Sequence, residues 1–215
     1  MLKSSWDRCW QNIGAQIDGS VLMQKLLLAY SAPHRKYHTI QHLSECLELF
    51  EQYYRLAERP AEVEIAIWFH DAIYDTRASD NEMKSAVWAE RELLAASVDP
   101  EKIERIKNHI LATQHSVLPE GNDQQLLVDI DLSILGACHF RFEEYEEQIR
   151  AEYKWVPQSI FVSKRKEILN EFLDRRPIFH TPDLFKVFED QARVNLVYSI
   201  WSLERQIYSD LDNSR

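Results

Sequence analysis

Three short segments of the sequence carry side chains suited to holding a divalent metal ion. His42 lies in YHTIQHLSECL, the doublet His70-Asp71 follows in AIWFHDAIYD, and Asp129 and Asp131 lie in DIDLSILG. Imidazole and carboxylate groups are ligands that divalent ions favour, and a catalytic site leaves positions open for water and substrate. These residue types therefore predict metal-dependent chemistry at one shared site.

The doublet lies at the end of the segment AEVEIAIWFHDAIYD, whose middle part from Val63 to Phe69 has no polar face. A helix that is apolar on all sides is buried in the centre of a protein. Ionisable groups at its end are costly unless they are paired or bound to a metal ion. At a helix end, where the backbone turns, the adjacent side chains of His70 and Asp71 can both reach one ion.

The rest of the chain has the apolar periodicity of helices. Only four glycines and seven prolines argue against a turn-rich sandwich or barrel. We expect a single all-α domain over residues 1–215, with nine or ten helices around a metal pocket, the site core at 30–136 and the C-terminal helices 139–209 packed on it. The predicted helices cover residues 3–17, 19–31, 38–57, 61–71, 79–96, 99–115, 123–136, 139–155, 157–174 and 182–209.

Composition narrows the class of partner. A net charge of −10 disfavours a nucleic acid polymer but leaves a small anionic substrate possible. Cys9, Cys46 and Cys138 form no C-x-x-C pair, which predicts free thiols in a reducing compartment and argues against a disulfide frame or a thiolate zinc site. No signal peptide and no apolar run of about 20 residues are present, so we expect a cytoplasmic protein without a membrane span.

Several segments together resemble the HD superfamily, whose signature is H…HD…D. The resemblance spans roughly residues 30–200. Within the superfamily, the chain is similar in particular to the predicted metal-dependent HD phosphohydrolases. It implies hydrolysis of a phosphoester in a nucleotide or another small phosphorylated metabolite, by a water that a divalent ion such as Mn, Mg, Co, Ni or Zn activates. The segments are PHRKYHTIQHL, AIWFHDAIYD, SDNEMKSA, DIDLSILG, YEEQIRAEY and ARVNL.

The resemblance assigns the ligands position by position. His42, His70 and Asp71 match the first three, and the last ligand is Asp131 or Asp129. Two aspartates that lie two residues apart cannot both point inward from a regular helix, and similarity to related hydrolases favours Asp131. Asp71 is also expected to orient the attacking water.

Catalytic roles are predicted for residues near these ligands. His38, one turn before His42, is expected to line the pocket. Glu82 is a general base or water-positioning group, or else simply an acidic residue that complements the dipole of its helix. Arg35 is a phosphate clamp or a structural ion pair, and Arg77 and Lys36 are weaker alternatives for the clamp.

His109 and His115 leave the number of metal ions open. They lie six residues apart, which places them on different helical faces unless the helix ends between them, for instance near Thr113. A second ion held by both would favour the alternative of a di-iron HD-type oxygenase. A non-catalytic, nucleotide-binding regulatory protein is the third possibility, and a homodimer is possible.

Overall fold

The computed structural model describes the backbone of residues 1–212 and the side chains of residues 1–205. In this part of the chain it is all-helical, which confirms the predicted all-α class of about ten helices. Two short 3-10 turns, Tyr54–Leu56 and Leu132–Gly136, extend the third and seventh helices. The helices are α1 (Leu2–Ile13), α2 (Ser20–Tyr30), α3 (Ile40–Tyr53), α4 (Pro60–Phe69), α5 (Asn81–Ala95), α6 (Pro100–Ala112), α7 (Gly121–Asp131), α8 (His139–Glu152), α9 (Gln158–Asp174) and α10 (Pro182–Asp212).

Local signals in the sequence explain where several helices begin and end. Asp99 caps α6, since its side chain accepts a hydrogen bond from the N–H of Glu101, and Pro100 occupies the first helical position. The Thr39 side chain accepts from the N–H of Gln41 and so begins α3 at Ile40. Helix α4 ends at Phe69, directly before the His70-Asp71 doublet that the sequence places at the end of this helix.

Helix α4 is the buried central element that the sequence predicts. Val63 and the run Ile65–Phe69 are at most 1% exposed. The helix packs against α1, α3, α5, α6 and α7. Burying each large apolar side chain contributes about 1.5–3 kcal/mol, so this contact set fixes the helix firmly and with it the residues that follow its end.

Residue contacts divide the chain into two compact units, of which the first is Met1–Asp131. All predicted metal ligands and catalytic residues belong to this unit. Helix α4 lies at its centre, and α5 and α6 pack closely against each other beside it. That residues 1–215 form one domain, with the C-terminal helices packed on the site, stays a prediction.

The second unit begins at Leu132 with the 3-10 turn and continues through α8, α9 and α10. Helix α10 packs against the turn and against α9. The Asn195 side-chain amide donates to the carbonyls of Leu135 and Ala137. Gly136 lies so close to Phe188 that a Cβ atom there would come within 2.6 Å of it.

Along the predicted helix at 182–209, apolar residues from Phe185 to Ile207 recur at steps of three and four, a stripe typical of core, and the structure partly confirms it. Ala192, Leu196 and Leu203 are buried, whereas Phe185 is 43% exposed. Ile207 lies outside the residues whose side chains the structure describes. No helix among the described residues is both long and apolar enough to cross a membrane.

Candidate metal centre

Three elements of the first unit bring the predicted ligands together. His42 lies in the first turn of α3, and Asp131 is the last residue of α7. His70 and Asp71 follow directly after the end of α4. The backbone turns there, so the two adjacent side chains reach the same point.

Four ligand atoms converge at this point. The Nε2 atoms of His42 and His70 lie 3.1 Å apart. The Oδ2 atom of Asp71 lies 3.4 Å from the first of these nitrogens and 3.1 Å from the second. The Oδ1 atom of Asp131 lies 3.2 Å and 3.5 Å from the same two nitrogens.

These separations fit a shared divalent ion. Ligand atoms about 2.1 Å from a common ion lie about 3.0 Å apart at right angles and about 3.4 Å apart at the tetrahedral angle. The two histidine side chains are 2% exposed and the two aspartate side chains 15% exposed. The carboxylate side of the site is therefore the side that faces solvent, where water and substrate would enter.

Hydrogen bonds to the far side of two ligands orient them toward the site. The Nδ1 atom of His70 lies 2.8 Å from the carbonyl oxygen of Ile67, so an N–H there donates to it and leaves Nε2 free to bind a cation. The Oδ2 atom of Asp131 lies 3.0 Å from Nε2 of His115. Partners of this kind fix the rotation of a metal ligand and strengthen its binding.

Cys46 is a potential ligand that the sequence analysis missed. Its Sγ atom lies 3.7 Å from Nδ1 and 3.8 Å from Nε2 of His42. Donor atoms of His42, Cys46, His70 and Asp131 all lie within 4.8 Å of one another, so this cluster could hold a metal ion. The absence of a C-x-x-C pair does not exclude a single thiolate ligand. The sequence signal for Cys46 is its spacing of four from His42, which places both residues on one face of α3.

The charges of the cluster depend on one another. Burial by itself lowers the pKa of His42 and of His70, but acidic neighbours, led by Cys46 for His42 and by Asp71 for His70, hold both pKa values well above the usual range. Burial by itself raises the pKa of Asp71 and Asp131, but the histidines outweigh it and hold both pKa values well below the usual range. The two aspartates are therefore anionic and ready to accept a cation.

Asp129 lies apart from this arrangement. It is fully buried in α7, whereas the Oδ1 atom of Asp131 lies 3.2 and 3.5 Å from the two histidine nitrogens. A step of two residues turns the helix by about 200°, so only one of the two can face the site. The alternative that Asp129 is the ligand is therefore corrected in favour of Asp131.

The structure separates the two histidines predicted to hold a second ion. Helix α6 ends at Ala112, and His115 adopts a left-handed backbone with a φ of 57° and reaches Asp131. His109 remains inside α6 and is buried there. Burial lowers the pKa of His109, and the nearby negative charges of Asp123 and Glu62 oppose this by raising it. The charged neighbours of His109 are therefore not the residues of the cluster. Of the two histidines, His115 therefore contacts the cluster, and a second ion held by both stays a prediction.

Arg35 has a different role from the predicted phosphate clamp. Its guanidinium donates to the carbonyl oxygens of His38, Asp71 and Ala72 at 2.7–3.0 Å, and its side chain is buried. Both terminal nitrogens are therefore engaged with the backbone around the His-Asp doublet, while Nε is buried and has no hydrogen-bond partner among the described residues. Arg35 positions the ligand loop. Of the weaker alternatives, Lys36 donates to the carbonyl of Pro33, and Arg77 is exposed.

His38 and Glu82 lie beside the cluster, as predicted. The His38 ring stacks on Tyr74 at 4.1 Å and meets His42 edge to face at 5.9 Å. Glu82 lies in the first turn of α5 and is partly buried. Burial raises its pKa, the negative charges of Asp71 and Asp131 raise it further, and His115 opposes this. The charges of the cluster therefore contribute to the raised pKa of Glu82, after burial as the largest cause.

Comparisons with models of protein families, with curated proteins and with solved structures give no match to the chain. The resemblance to the HD superfamily stays a prediction from the sequence. The functional inference therefore depends on the geometry and charge of the cluster.

Proposed function

We propose that this protein is a metal-dependent phosphohydrolase that cleaves a phosphoester in a nucleotide or another small phosphorylated metabolite. The observation that carries the proposal is that two imidazole nitrogens lie 3.1 Å apart and that one oxygen of each of two carboxylates lies 3.1–3.5 Å from both of them. His42, His70, Asp71 and Asp131 would hold the ion. This donor set, with two anionic oxygens and an exposed carboxylate side, suits a divalent cation that must also meet water and substrate.

The reaction requires a nucleophile, an electrophile and a proton acceptor. The bound ion would supply Lewis-acid activation of a water and of a phosphoryl oxygen. The water oxygen forms a bond to phosphorus, the ester P–O bond breaks, and the leaving alkoxide takes up a proton. The chain itself has to orient the water and hold its proton.

Glu82 is the residue best suited to that task. It lies near Asp71 and Asp131, and burial with their negative charge raises the pKa of its carboxyl group. A carboxylate whose pKa is shifted upward toward neutrality is a better proton acceptor than one with its ordinary value. Asp71 would orient the same water from the ligand side.

The di-iron oxygenase is less favoured by the geometry. That reaction needs a second ion, and of the two histidines predicted to hold one only His115 approaches the cluster. His109 has Asp123 and Glu62 as its charged neighbours instead. A non-catalytic regulatory role has no observation in its favour beyond the presence of a site.

The test is a screen of the metal-loaded protein for release of inorganic phosphate. Nucleoside monophosphates, sugar phosphates and a chromogenic aryl phosphate form the panel, each with added Mn²⁺, Co²⁺, Zn²⁺ or Mg²⁺. We expect Glu82→Gln to retain metal and to lose about 10²-fold or more in kcat. The matched control is Glu101→Gln, an exposed acidic residue in the first turn of α6. No turnover by loaded protein on any ester would refute the proposal.

A further inference from the structure

Cys46 lies one turn after His42 on α3 and faces the same cluster. Its side chain is buried, with 2% exposure. Its sulfur is nearly equidistant from both ring nitrogens of His42, at 3.7 and 3.8 Å. It also lies within 4.8 Å of donor atoms of His70 and Asp131.

These distances are close to those of a sulfur and a nitrogen bound to one ion. With bonds of about 2.3 Å to sulfur and about 2.0–2.1 Å to nitrogen, the two donor atoms lie about 3.6 Å apart at the tetrahedral angle. The separation from Nε2, the nitrogen that faces the other ligands, exceeds this by a few tenths of an ångström. Because the sulfur is also 3.7 Å from Nδ1, it lies beside the imidazole ring, and the cysteine side chain has to rotate toward the Nε2 side to bind the ion.

We propose that the Cys46 thiolate is a direct ligand of the ion in this site, together with His42, His70 and the aspartates. The thiol proton is released to solvent when the sulfur binds, because the thiolate is the metal-binding form. A soft sulfur donor makes the site select zinc-class ions such as Zn²⁺, Co²⁺ or Fe²⁺ over Mg²⁺, which takes oxygen ligands. This inference rests on the proposed function only in that both use the same ion.

Cys9 shows what a packing cysteine looks like in the same unit. It is fully buried in α1, and its sulfur lies 3.3 Å from the carbonyl oxygen of Trp6. It is absent from the ligand cluster found in the described part of the chain. Cys46 has the same burial but has ligand atoms around it, so Cys9 serves as the matched control.

The experiment uses Co²⁺ as the probe and the full chain carrying Cys138→Ser, which removes the exposed thiol. Titration with Co²⁺ is expected to produce visible ligand-field bands and an intense near-ultraviolet sulfur-to-cobalt charge-transfer band. Adding Cys46→Ser should abolish the charge-transfer band and lower Zn²⁺ affinity about tenfold or more, while Mg²⁺ affinity stays unchanged. Adding Cys9→Ser should leave the band in place.

X-ray absorption of the zinc-loaded Cys138→Ser protein keeps the test independent of whether the Cys46 variant folds. One sulfur at about 2.3 Å from zinc is expected beside nitrogen and oxygen at about 2.0–2.1 Å. Nitrogen and oxygen alone would overturn the proposed Cys46 ligand and leave the phosphohydrolase proposal intact. Failure to bind any of Co²⁺, Zn²⁺, Mn²⁺ and Mg²⁺ would overturn both, so the two failures are distinguishable.

Discussion

The two ends of helix α4 bury ionisable groups in opposite ways. At its beginning, Glu62 and Glu64 are buried and paired with arginines from other helices, Arg105 and Arg8 respectively. Both guanidinium groups grip their carboxylate with two nitrogens. The charge at this end is neutralised within the protein.

The end of α4 has no such complement among the contacts that define the cluster. His70 and Asp71 meet His42 and Asp131, so the partners of the carboxylates are imidazoles, which hold protons in the metal-free protein and release them when an ion binds. Arg35 approaches the same loop, but its donors go to backbone carbonyls. One end of the helix is an internal ion pair, and the other is a set of ligands arranged for an external cation.

The largest expected effect comes from removing a ligand at the C-terminal end of α4, called the second end here, whereas the N-terminal end with Glu62 and Glu64 is the first end. Asp71→Ala removes one of the two anionic oxygens of the cluster. Losing a residue that only hydrogen-bonds to a ligand lowers metal affinity about 10–100-fold, and losing the ligand itself should lower it by more. Turnover should disappear with the metal. Elemental mass spectrometry and phosphate release check both. Full metal content with full activity in this variant would remove Asp71 from the site.

Breaking the ion pair at the first end should affect stability and leave metal binding alone. Arg8→Ala leaves the Glu64 carboxylate, which is 1% exposed, with Ser5 as its remaining hydrogen-bond donor. We expect the free energy of unfolding to fall by about 3 kcal/mol, since a buried carboxylate loses its counter-charge. Arg91→Ala, at a 71% exposed side chain, is the control and should change stability by less than about 0.5 kcal/mol. Urea unfolding measures both. Loss of bound metal in folded Arg8→Ala would erase the distinction between the two ends.

A smaller effect on metal affinity is expected from replacing His115, which contacts the ligand Asp131 but is not itself one of the four proposed ligands. His115→Ala removes the hydrogen bond to Oδ2 of Asp131, so metal affinity should fall about 10–100-fold through poorer orientation of the carboxylate. His115→Gln keeps a donor and should recover part of the affinity. His139→Ala, an exposed histidine in the second unit, serves as the control. Competition with a chromogenic chelator measures the affinities. An unchanged affinity for His115→Ala would show that its contact with Asp131 is incidental.

The smallest expected effect is a pH dependence confined to the second end. The pKa values of His42 and His70 are raised, so in the metal-free protein they hold protons that an ion must displace. Their contribution to the stability of that form is therefore present below about pH 6.5 and lost as pH rises through the raised values. Metal affinity should change in the opposite direction, rising by up to about tenfold per pH unit for each proton displaced. Chelator competition at several pH values measures this, and a flat profile would contradict the assigned charges.

Sequence patterns predicted the helices and much of the metal centre for identifiable reasons. The apolar run of α4 placed His70-Asp71 at the end of a buried helix, where both side chains reach one point. The apolar periodicity and the capping residue Asp99 predicted α6. The helix ends at Ala112, before His115, which is the condition under which the sequence allows His115 to turn inward. These features depend on local spacing, which a sequence displays directly.

What the sequence did not predict depends on contacts between distant segments. The sequence does not show that Arg35 donates to the carbonyls of Asp71 and Ala72, because these partners lie far along the chain from it. His109 faces Glu62 and Asp123, a neighbourhood set by the packing of α4, α6 and α7. Cys46 was overlooked although its spacing from His42 was visible, because cysteines were considered only in pairs.

The metal content of the purified chain decides whether the end of α4 holds a metal ion. Elemental mass spectrometry before and after incubation with excess Mn²⁺, Co²⁺, Zn²⁺ and Mg²⁺, followed by removal of unbound ions, gives the stoichiometry. We predict about one ion per chain. Two irons per chain would favour the oxygenase instead, and no retained ion under any of these conditions would contradict the account.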